Sequence, residues 1–290
     1  MDGERTDTLI NRREFLVSSI AALAYSAQHS LAAEATPRPL GVQLYTVRNQ
    51  VEKHLPDVLA AIHQMGYQEV ETYWNVYSHP ADELKRMITD HGLRAPSGHF
   101  DYDKLDSKLD YAAALGLDYV VCPMLPKTMW TSIDGFKQAA DQLNKWGEQI
   151  QKRNMHFCFH NHNYEFRRFG NTTGFDVLMS GTDPNLVSLE MDCYWITQAG
   201  QDPLQMFNRL GSRIQMLHLK DRKPGYPTSQ QMNSAAEHMT PVGTGTINWK
   251  AIMEAARTNG VQHLFVEQDS GDLPPLEELK ISYKNLQPLL

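Results

Sequence analysis

Hydrophobic and polar positions along this chain follow a repeating unit. In each unit an amphipathic helix ends at a glycine, a large apolar residue follows, and a short run rich in β-forming residues comes next. The unit occurs at Gly66-Tyr67, Gly92-Leu93, Gly116-Leu117 and Gly260-Val261. A glycine just past a helix adopts the left-handed conformation at no steric cost, and the apolar residue after it packs back on the helix. The pattern therefore predicts helices that each lead into a strand.

The whole pattern predicts eight strands alternating with eight helices. Strands are expected near 40–45, 69–72, 94–98, 119–123, 156–160, 187–192, 214–218 and 263–267. Helices are expected near 55–65, 80–91, 105–115, 134–153, 173–180, 202–210, 248–259 and 276–288. Strict alternation predicts a parallel sheet, and eight units predict an α/β fold of the (β/α)8 TIM barrel type over residues 38–290.

An open doubly wound sheet is the alternative, although no GxGxxG motif follows the first predicted strand. Pro96 falls inside the third predicted strand. Because proline cannot donate a hydrogen bond to a neighbouring strand, we expect that strand to be short or irregular.

Residues 1–35 follow a different pattern. Arg12 and Arg13 precede Phe15 and the apolar run VSSIAALAYSA, and small residues follow up to Ala35. This arrangement resembles a twin-arginine export signal with cleavage near Ala32 to Ala35. It predicts a periplasmic protein with no stable membrane anchor after cleavage. An amphipathic N-terminal helix is the alternative.

Composition narrows the possible partners. The 290 residues are 41% hydrophobic and 21% charged, which is typical of a globular chain. The net charge of −7 argues against a general nucleic-acid or anionic-membrane binder, since both reward a basic surface. Cys122, Cys158 and Cys193 form no CxxC pair, and their odd number favours buried free thiols over disulfides.

Polar side chains of the metal-binding type close several of the predicted apolar strands. In chain order they are Gln43, Glu71, His99, His160 with Asn161, His162 and Glu165, then Asp192, His218 with Lys220, and Glu267. Each has an ordinary explanation by itself, such as a loop cap for Asp192 or an ion pair for Glu267. Barrel enzymes, however, build their sites at this end of the strands, and buried histidines and carboxylates are costly unless paired or metal-bound. Their joint occurrence therefore predicts a metal site.

Six stretches then resemble a known family. They are GVQLYTVR, HNHNYEF, LEMDCYWITQAGQDP, LHLKD, VGTGTINW and FVEQD. On these the chain resembles the sugar phosphate isomerase/epimerase family, from about residue 38 to its end. That family belongs to the xylose isomerase-like TIM barrel superfamily, which also includes inosose dehydratases and endonuclease IV.

The resemblance implies one divalent cation, held by one residue each from strands five to eight. The last three positions fall on Asp192, His218 and Glu267. The strand-five position is usually Glu but here falls on His160, which departs from the family; Glu165 is the alternative ligand, and the spacing favours His160. Two histidines and two carboxylates would suit Mn, Co, Zn, Mg or Fe, with open positions for substrate oxygens.

The activity that the resemblance implies is that of a sugar isomerase or epimerase. Such an enzyme removes a proton next to a carbonyl through a metal-stabilised enediolate. Glu267 is one expected acid/base group, and Glu165 or His162 is the second. Because only one of the two metal-bound glutamates of related epimerases is present, a lyase, dehydratase or hydratase acting on a keto-sugar or inosose gains support.

A small sugar is therefore the expected partner. Contacts with its hydroxyl groups are expected from Gln43, Glu71, His99, Asn161 and Lys220. Trp195 would offer a platform for a sugar face, although a core position is equally compatible with its surroundings. A nuclease of the endonuclease IV type would need more ligands and a basic surface, and a non-catalytic sugar binder would lack the metal.

The glycine-rich segment PVGTGTINW lies between predicted strands seven and eight, where many barrels bind phosphate. Tight loop geometry explains Gly243 and Gly245 equally well, so the glycines do not identify a phosphosugar. An exported protein would also more often meet unphosphorylated sugars.

Overall fold

Eight parallel strands close into a barrel in the computed structural model, which describes residues 38–232 and 238–290. The strands are β1 (Leu40–Gln43), β2 (Glu69–Thr72), β3 (Arg94–His99), β4 (Tyr119–Cys122), β5 (His156–His160), β6 (Ser188–Asp192), β7 (Ile214–Leu219) and β8 (His263–Val266). Each strand pairs with its sequence neighbours, and β1 pairs with β8 to close the ring. The predicted (β/α)8 barrel is confirmed, and the open sheet is wrong.

Helices alternate with the strands on the outside of the barrel. Within the described residues they are α1 (Arg48–Gln64), α2 (Ala81–Asp90), α3 (Leu105–Leu115), α4 (Ile133–Gln151), α5 (Gly174–Gly181), α6 (Cys193–Gln198), α7 (Pro203–Leu210), α8 (Trp249–Thr258) and α9 (Pro275–Leu286). Short 3-10 helices lie at Leu44–Val47, Trp74–Ser78, Tyr102–Lys104, Tyr164–Phe166, Gly211–Arg213 and Gln287–Leu289. The additional helix α6 was not predicted.

Helix α1 begins seven residues earlier than the predicted start at residue 55. Its backbone leaves helical geometry at His54, two residues before Pro56. A proline restricts the backbone just before it, so the sequence signal marks the second part of a kinked helix rather than its beginning.

Strand β3 accommodates Pro96 by a shift of register. Glu69 pairs with Arg94, whereas Glu71 pairs with Ser97, so three steps on β3 face two on β2. Such a bulge is a position where a missing N–H is tolerated. The strand is irregular, as predicted, but with six residues it is not short.

The glycines of the repeat end their helices as expected. Gly116 has φ 84° and donates its N–H to the carbonyl of Ala112, and Gly66, Gly92 and Gly260 also have positive φ. Cys122, Cys158 and Cys193 are buried free thiols, which confirms that prediction. Over the described ranges, no helix combines the length and apolar character that crossing a membrane requires. The predicted export signal, residues 1–35, lies outside the described residues.

Candidate metal centre

The ends of β5 to β8 bring four predicted ligands together at the barrel mouth. His160, Asp192, His218 and Glu267 are all buried, and one potential ligand atom from each lies within 4.8 Å of the others. The strand register explains the convergence, because Asp192 pairs directly with His218 and Glu267 follows the last residue of β8. Glu165 is not part of this group. We call these four residues the outer cluster; their role as ligands remains a prediction.

A second layer of polar side chains lies directly beneath the outer cluster. Nε2 of His218 lies 2.6 Å from Oε2 of Glu71, while its Nδ1 lies 2.6 Å from Oε2 of Glu267. His160 similarly lies between Glu190, 3.1 Å from its Nδ1, and Asp192, 3.6 Å from its Nε2. The two histidines therefore connect an inner layer of carboxylates with an outer one.

Glu190 belongs to this inner layer and was missed from the sequence. Its Oε2 lies 2.7 Å from Nε2 of His99, and His99, His160, Glu190 and His218 form a second group of possible ligands. The signal was available, because alternate residues of a strand share a face and Glu190 stands two positions before Asp192.

The donor set fits a divalent cation. The two layers together contain four buried carboxylates, those of Glu71, Glu190, Asp192 and Glu267, and Nζ of Lys220 contacts two of them, Asp192 at 3.1 Å and Glu267 at 2.7 Å. Oε1 of Glu190 has no hydrogen-bond partner among the described residues, and Oδ2 of Asp192 has only charge contacts, including Nζ of Lys220 at 3.1 Å. Buried anions are costly unless cations compensate them. A dication on two imidazoles and two carboxylates would supply that compensation.

The negative charge also acts on the neighbouring histidine His99. Burial alone would lower the pKa of His99, but the carboxylates of Glu71 and Glu190 outweigh this effect and raise that pKa to about 9. The surroundings of the clusters therefore favour positive charge at their centre.

Glu165, the alternative strand-five ligand, lies elsewhere. Both of its carboxyl oxygens accept the backbone N–H of His162, at 3.1 and 3.0 Å, and the side chain is fully buried. The geometry therefore favours His160 over Glu165 as the ligand from β5. It also keeps Glu165 off the cavity wall, so its predicted acid/base role gains no support from its position.

Burial raises the pKa of Glu165 to about 8, which predicts a specific pH dependence of stability. Between its ordinary pKa of 4.5 and about 8, the folded protein retains a proton that the unfolded chain has lost. Glu165 therefore contributes stability below pH 4.5 that is lost as the pH rises towards 8. Gln at this position does not titrate. Relative to wild type, Glu165→Gln should gain up to about 1.4 kcal/mol in free energy of unfolding per pH unit over this window.

Urea unfolding at pH 5, 6.5 and 8 measures this effect. Glu148→Gln, at an exposed glutamate on α4, serves as the control and should show no such trend. A constant difference between Glu165→Gln and wild type across the three pH values would contradict the prediction.

A cavity of about 490 Å³ opens above the outer cluster. Its polar lining comprises Arg48, His99, Asp101, His160, His162, Lys220, Glu267 and Asp269. Its mainly apolar lining includes Tyr45, Trp74, Tyr102, Met124, Trp195 and Met232. Asp269 was not singled out from the sequence, although it ends the FVEQD stretch two positions after Glu267.

Three of the predicted substrate contacts line this cavity, namely His99, Trp195 and Lys220. Trp195 is buried, with 2% exposure, and one side of it forms part of the cavity wall. Its Nε1 has no hydrogen-bond partner within the described part of the chain, and the same is true of Nδ1 of His162. Both nitrogens are buried beneath the cavity surface.

Gln43, Glu71 and Asn161 do not reach the cavity, which corrects the expectation that they face it. Nε2 of Gln43 donates to Oε2 of Glu71 at 2.7 Å, and Oδ1 of Asn161 accepts the backbone N–H of Asp192 at 3.1 Å. All three are fully buried. They hold the ligand residues in place.

The glycine-rich loop after β7 surrounds a side chain of the protein itself. The carboxylate of Asp221 accepts five hydrogen bonds, from the backbone N–H groups of Arg222, Gly243, Gly245 and Ile247 and from Nε1 of Trp249. A Cβ on Gly245 would collide with this carboxylate, and Gly243 has φ 86°. Tight loop geometry therefore explains both glycines.

Comparison with known proteins agrees with this architecture. The Xylose isomerase-like TIM barrel family matches residues 59–287. An inosose dehydratase from Lacticaseibacillus casei is 29% identical over 161 residues, which cover 50% of this chain and 51% of that protein. The chain thus spans about half the length of the curated relatives it matches.

Solved structures share the fold over a longer range. A sugar phosphate isomerase/epimerase from Parabacteroides distasonis has a TM-score of 0.73 at 22% identity, covering 89% of this chain and 96% of the other. The IolI protein, solved with a bound zinc atom, has a TM-score of 0.67 at 15% identity, covering 87% of this chain and 98% of the other. From its closed barrel and the match over residues 59–287, the chain belongs to the xylose isomerase-like TIM barrel family.

Proposed function

We propose that the protein is a divalent-metal-dependent sugar isomerase that removes a proton next to a carbonyl group. The observation that carries this proposal is the outer cluster of His160, Asp192, His218 and Glu267 at the floor of a 490 Å³ cavity. The shared fold of a sugar phosphate isomerase/epimerase and the zinc atom of the IolI protein support it. A sugar or keto-sugar is the substrate we propose.

A divalent cation held by these residues would polarise a carbonyl and stabilise the negative charge that follows proton removal. The protein's own groups position that chemistry. Glu267 lines the cavity, with Nζ of Lys220 at 2.7 Å and Nδ1 of His218 at 2.6 Å from its Oε2. These neighbours keep Glu267 ionised by holding its pKa well below the ordinary value against the effect of burial. The same contacts weaken it as a base, so it accepts a proton only when substrate binding loosens its contact with Lys220 or His218.

The position of the acid/base groups favours isomerisation over epimerisation. Epimerisation by proton removal and return needs groups on two faces of the substrate, whereas isomerisation can return the proton on the same face. Glu267 is the carboxylate of the outer cluster that lines the cavity, and β5 supplies the imidazole of His160 instead of a second one. His162, whose side chain lines the cavity, remains the second candidate to move a proton.

Dehydration is the second candidate function, and the position of Lys220 favours it. Nζ of Lys220 lies within 3.3 Å of carboxylate oxygens of Asp192, Glu267 and Asp269 and lines the cavity. An ammonium group beside Glu267 is placed to give a proton to a departing hydroxyl group. The inosose dehydratases among the relatives support this alternative.

NMR in D2O tests both functions. Metal-loaded protein is incubated with plain sugars and with keto-sugars, including inososes. An isomerase should produce an isomer with solvent deuterium on the carbon that carried the original carbonyl, whereas an epimerase would place it on the carbon next to a carbonyl that is retained. A dehydratase should produce an unsaturated or deoxygenated product. Lys220→Met should leave deuterium exchange detectable while it suppresses dehydration. Absence of both exchange and product with every substrate would overturn the proposal.

Export to the periplasm by the twin-arginine route is also proposed, on the residues 12–35 pattern alone.

A further inference from the structure

The cavity has more space than one sugar ring requires. Its volume of about 490 Å³ falls in the range of ~300–1,000 Å³ that is typical of sites for drug-sized ligands. A monosaccharide bound at the outer cluster would occupy the inner part and leave the outer part unfilled.

The outer part of the cavity is apolar and comes from the first half of the barrel. Tyr45 follows β1, Trp74 follows β2, Tyr102 follows β3 and Met124 follows β4, and all four are only partly buried. The rings of Tyr45 and Trp74 pack together with centroids 5.8 Å apart, and Tyr102 is held edge-on against Trp146 at 4.7 Å. These four residues, here called the aromatic wall, form a surface that an apolar group would cover favourably.

The charged groups beside the aromatic wall are already engaged or acidic. The guanidinium group of Arg48 donates to the carbonyl oxygens of Tyr45 and Asp269, at 3.0 and 2.7 Å, and lies 4.5 Å from the centroid of the Tyr45 ring. Asp101 also lines this side. Arg48 therefore contributes its guanidinium plane to the wall, next to the Tyr45 ring.

The loop that many barrels use for phosphate offers no place for one here. Its backbone N–H groups at Gly243, Gly245 and Ile247 all donate to Asp221, which is 1% exposed. A phosphate would have to displace a buried carboxylate that carries the same sign of charge.

We propose that the cavity binds an unphosphorylated sugar or keto-sugar that carries an aromatic or similarly apolar substituent. The polar ring lies at the outer cluster, where His162, Lys220 and Glu267 line the cavity, and the substituent packs on the aromatic wall. This inference rests on the proposed function for the placement of the sugar, but its test does not depend on turnover.

Calorimetric titration of the metal-loaded full chain tests the substituent. The probes are phenyl and methyl β-glycosides of glucose, galactose and xylose, together with glucose and glucose 6-phosphate. In at least one sugar pair, the phenyl glycoside should bind about tenfold or more tightly than the methyl glycoside, as an aromatic contact plus its buried area implies. Glucose 6-phosphate should bind no more tightly than glucose.

Three variants locate the preference. Trp74→Ala and Tyr102→Ala should each reduce the phenyl-over-methyl ratio severalfold and leave the affinity for the methyl glycoside unchanged, which also shows that the variant is folded. Tyr226→Ala removes an aromatic residue that is 43% exposed and outside the cavity lining, and it should keep the ratio.

Equal affinity within every pair, no binding of any phenyl glycoside, or tighter binding of glucose 6-phosphate than of glucose would each overturn the inference. The D2O experiment distinguishes failure of the binding inference from failure of the proposed function. Phenyl preference without deuterium exchange would support the binding inference and contradict the proposed chemistry. Deuterium exchange on simple sugars without phenyl preference would support the proposed chemistry and contradict the binding inference.

Discussion

Replacing His218 with alanine is expected to weaken metal binding about a hundredfold or more. The substitution removes the imidazole ring from the outer cluster and also both 2.6 Å contacts, with Glu267 and with Glu71, through which this ring orients the carboxylates. Loss of an outer partner alone typically lowers metal affinity by about 10–100-fold, so loss of a ligand together with its contacts should reach or exceed the upper end of that range.

Metal content by ICP-MS after dialysis against a graded chelator series measures this effect. His263→Ala is the matched control, because His263 is a buried histidine paired with Glu69 at 2.8 Å but stands at the start of β8, at the opposite end of the barrel. It should leave metal affinity unchanged. Retention of metal by both His218→Ala and Glu267→Gln would mean that the outer cluster is not the site.

The same assay decides which residue of the β5 region is the ligand. His160→Gln should lower metal content, whereas Glu165→Gln should keep it, because Glu165 is bonded to the backbone of His162. The opposite pattern would show that the choice of His160 is wrong.

Replacing Asp221 with alanine is expected to lower the free energy of unfolding by about 3–5 kcal/mol, the usual range for breaking a buried charged network. Five donors, four of them backbone N–H groups, would lose their acceptor in a buried site that water reaches poorly. An unsatisfied buried donor costs about 1–3 kcal/mol, and partial relaxation of the loop keeps the total below the simple sum.

Urea unfolding midpoints measure the loss at constant m-value. Asp272→Ala is the matched control, because Asp272 pairs with Lys223 at the surface and its side chain is 78% exposed. That variant should change stability by no more than about 0.5 kcal/mol. A similar small change in Asp221→Ala would show that the loop does not depend on its internal carboxylate.

The barrel could be predicted because short local sequence patterns mark each of its repeating helix–strand units. A glycine that needs positive φ, such as Gly116, marks each helix end independently of the rest of the fold. Helix α6 could not be found in this way. It is only six residues long and begins directly after Asp192, so neither its length nor a glycine or proline separates it from β6 in the sequence.

The candidate ligands could also be named, because Asp192, His218 and Glu267 each close or directly follow an apolar strand. The sequence could not show how far below the cavity surface each side chain lies. Gln43 and Glu71 close strands in the same manner, yet they bond to one another beneath the mouth. Glu165 likewise lies near His160 in the chain, and only the local 3-10 turn at Tyr164–Phe166 directs it away from the cavity.

Asp192 has a double task that couples two parts of the molecule. Its Oδ1 accepts the backbone N–H of Trp195 at 2.9 Å and so begins helix α6, while its Oδ2 faces the outer cluster. One rigid carboxyl plane thus links the outer cluster to the position of the Trp195 indole on the cavity wall. A cation held at Oδ2 would therefore also restrain Trp195 through a single carboxyl carbon, and an occupied cluster would give the cavity a stiffer wall.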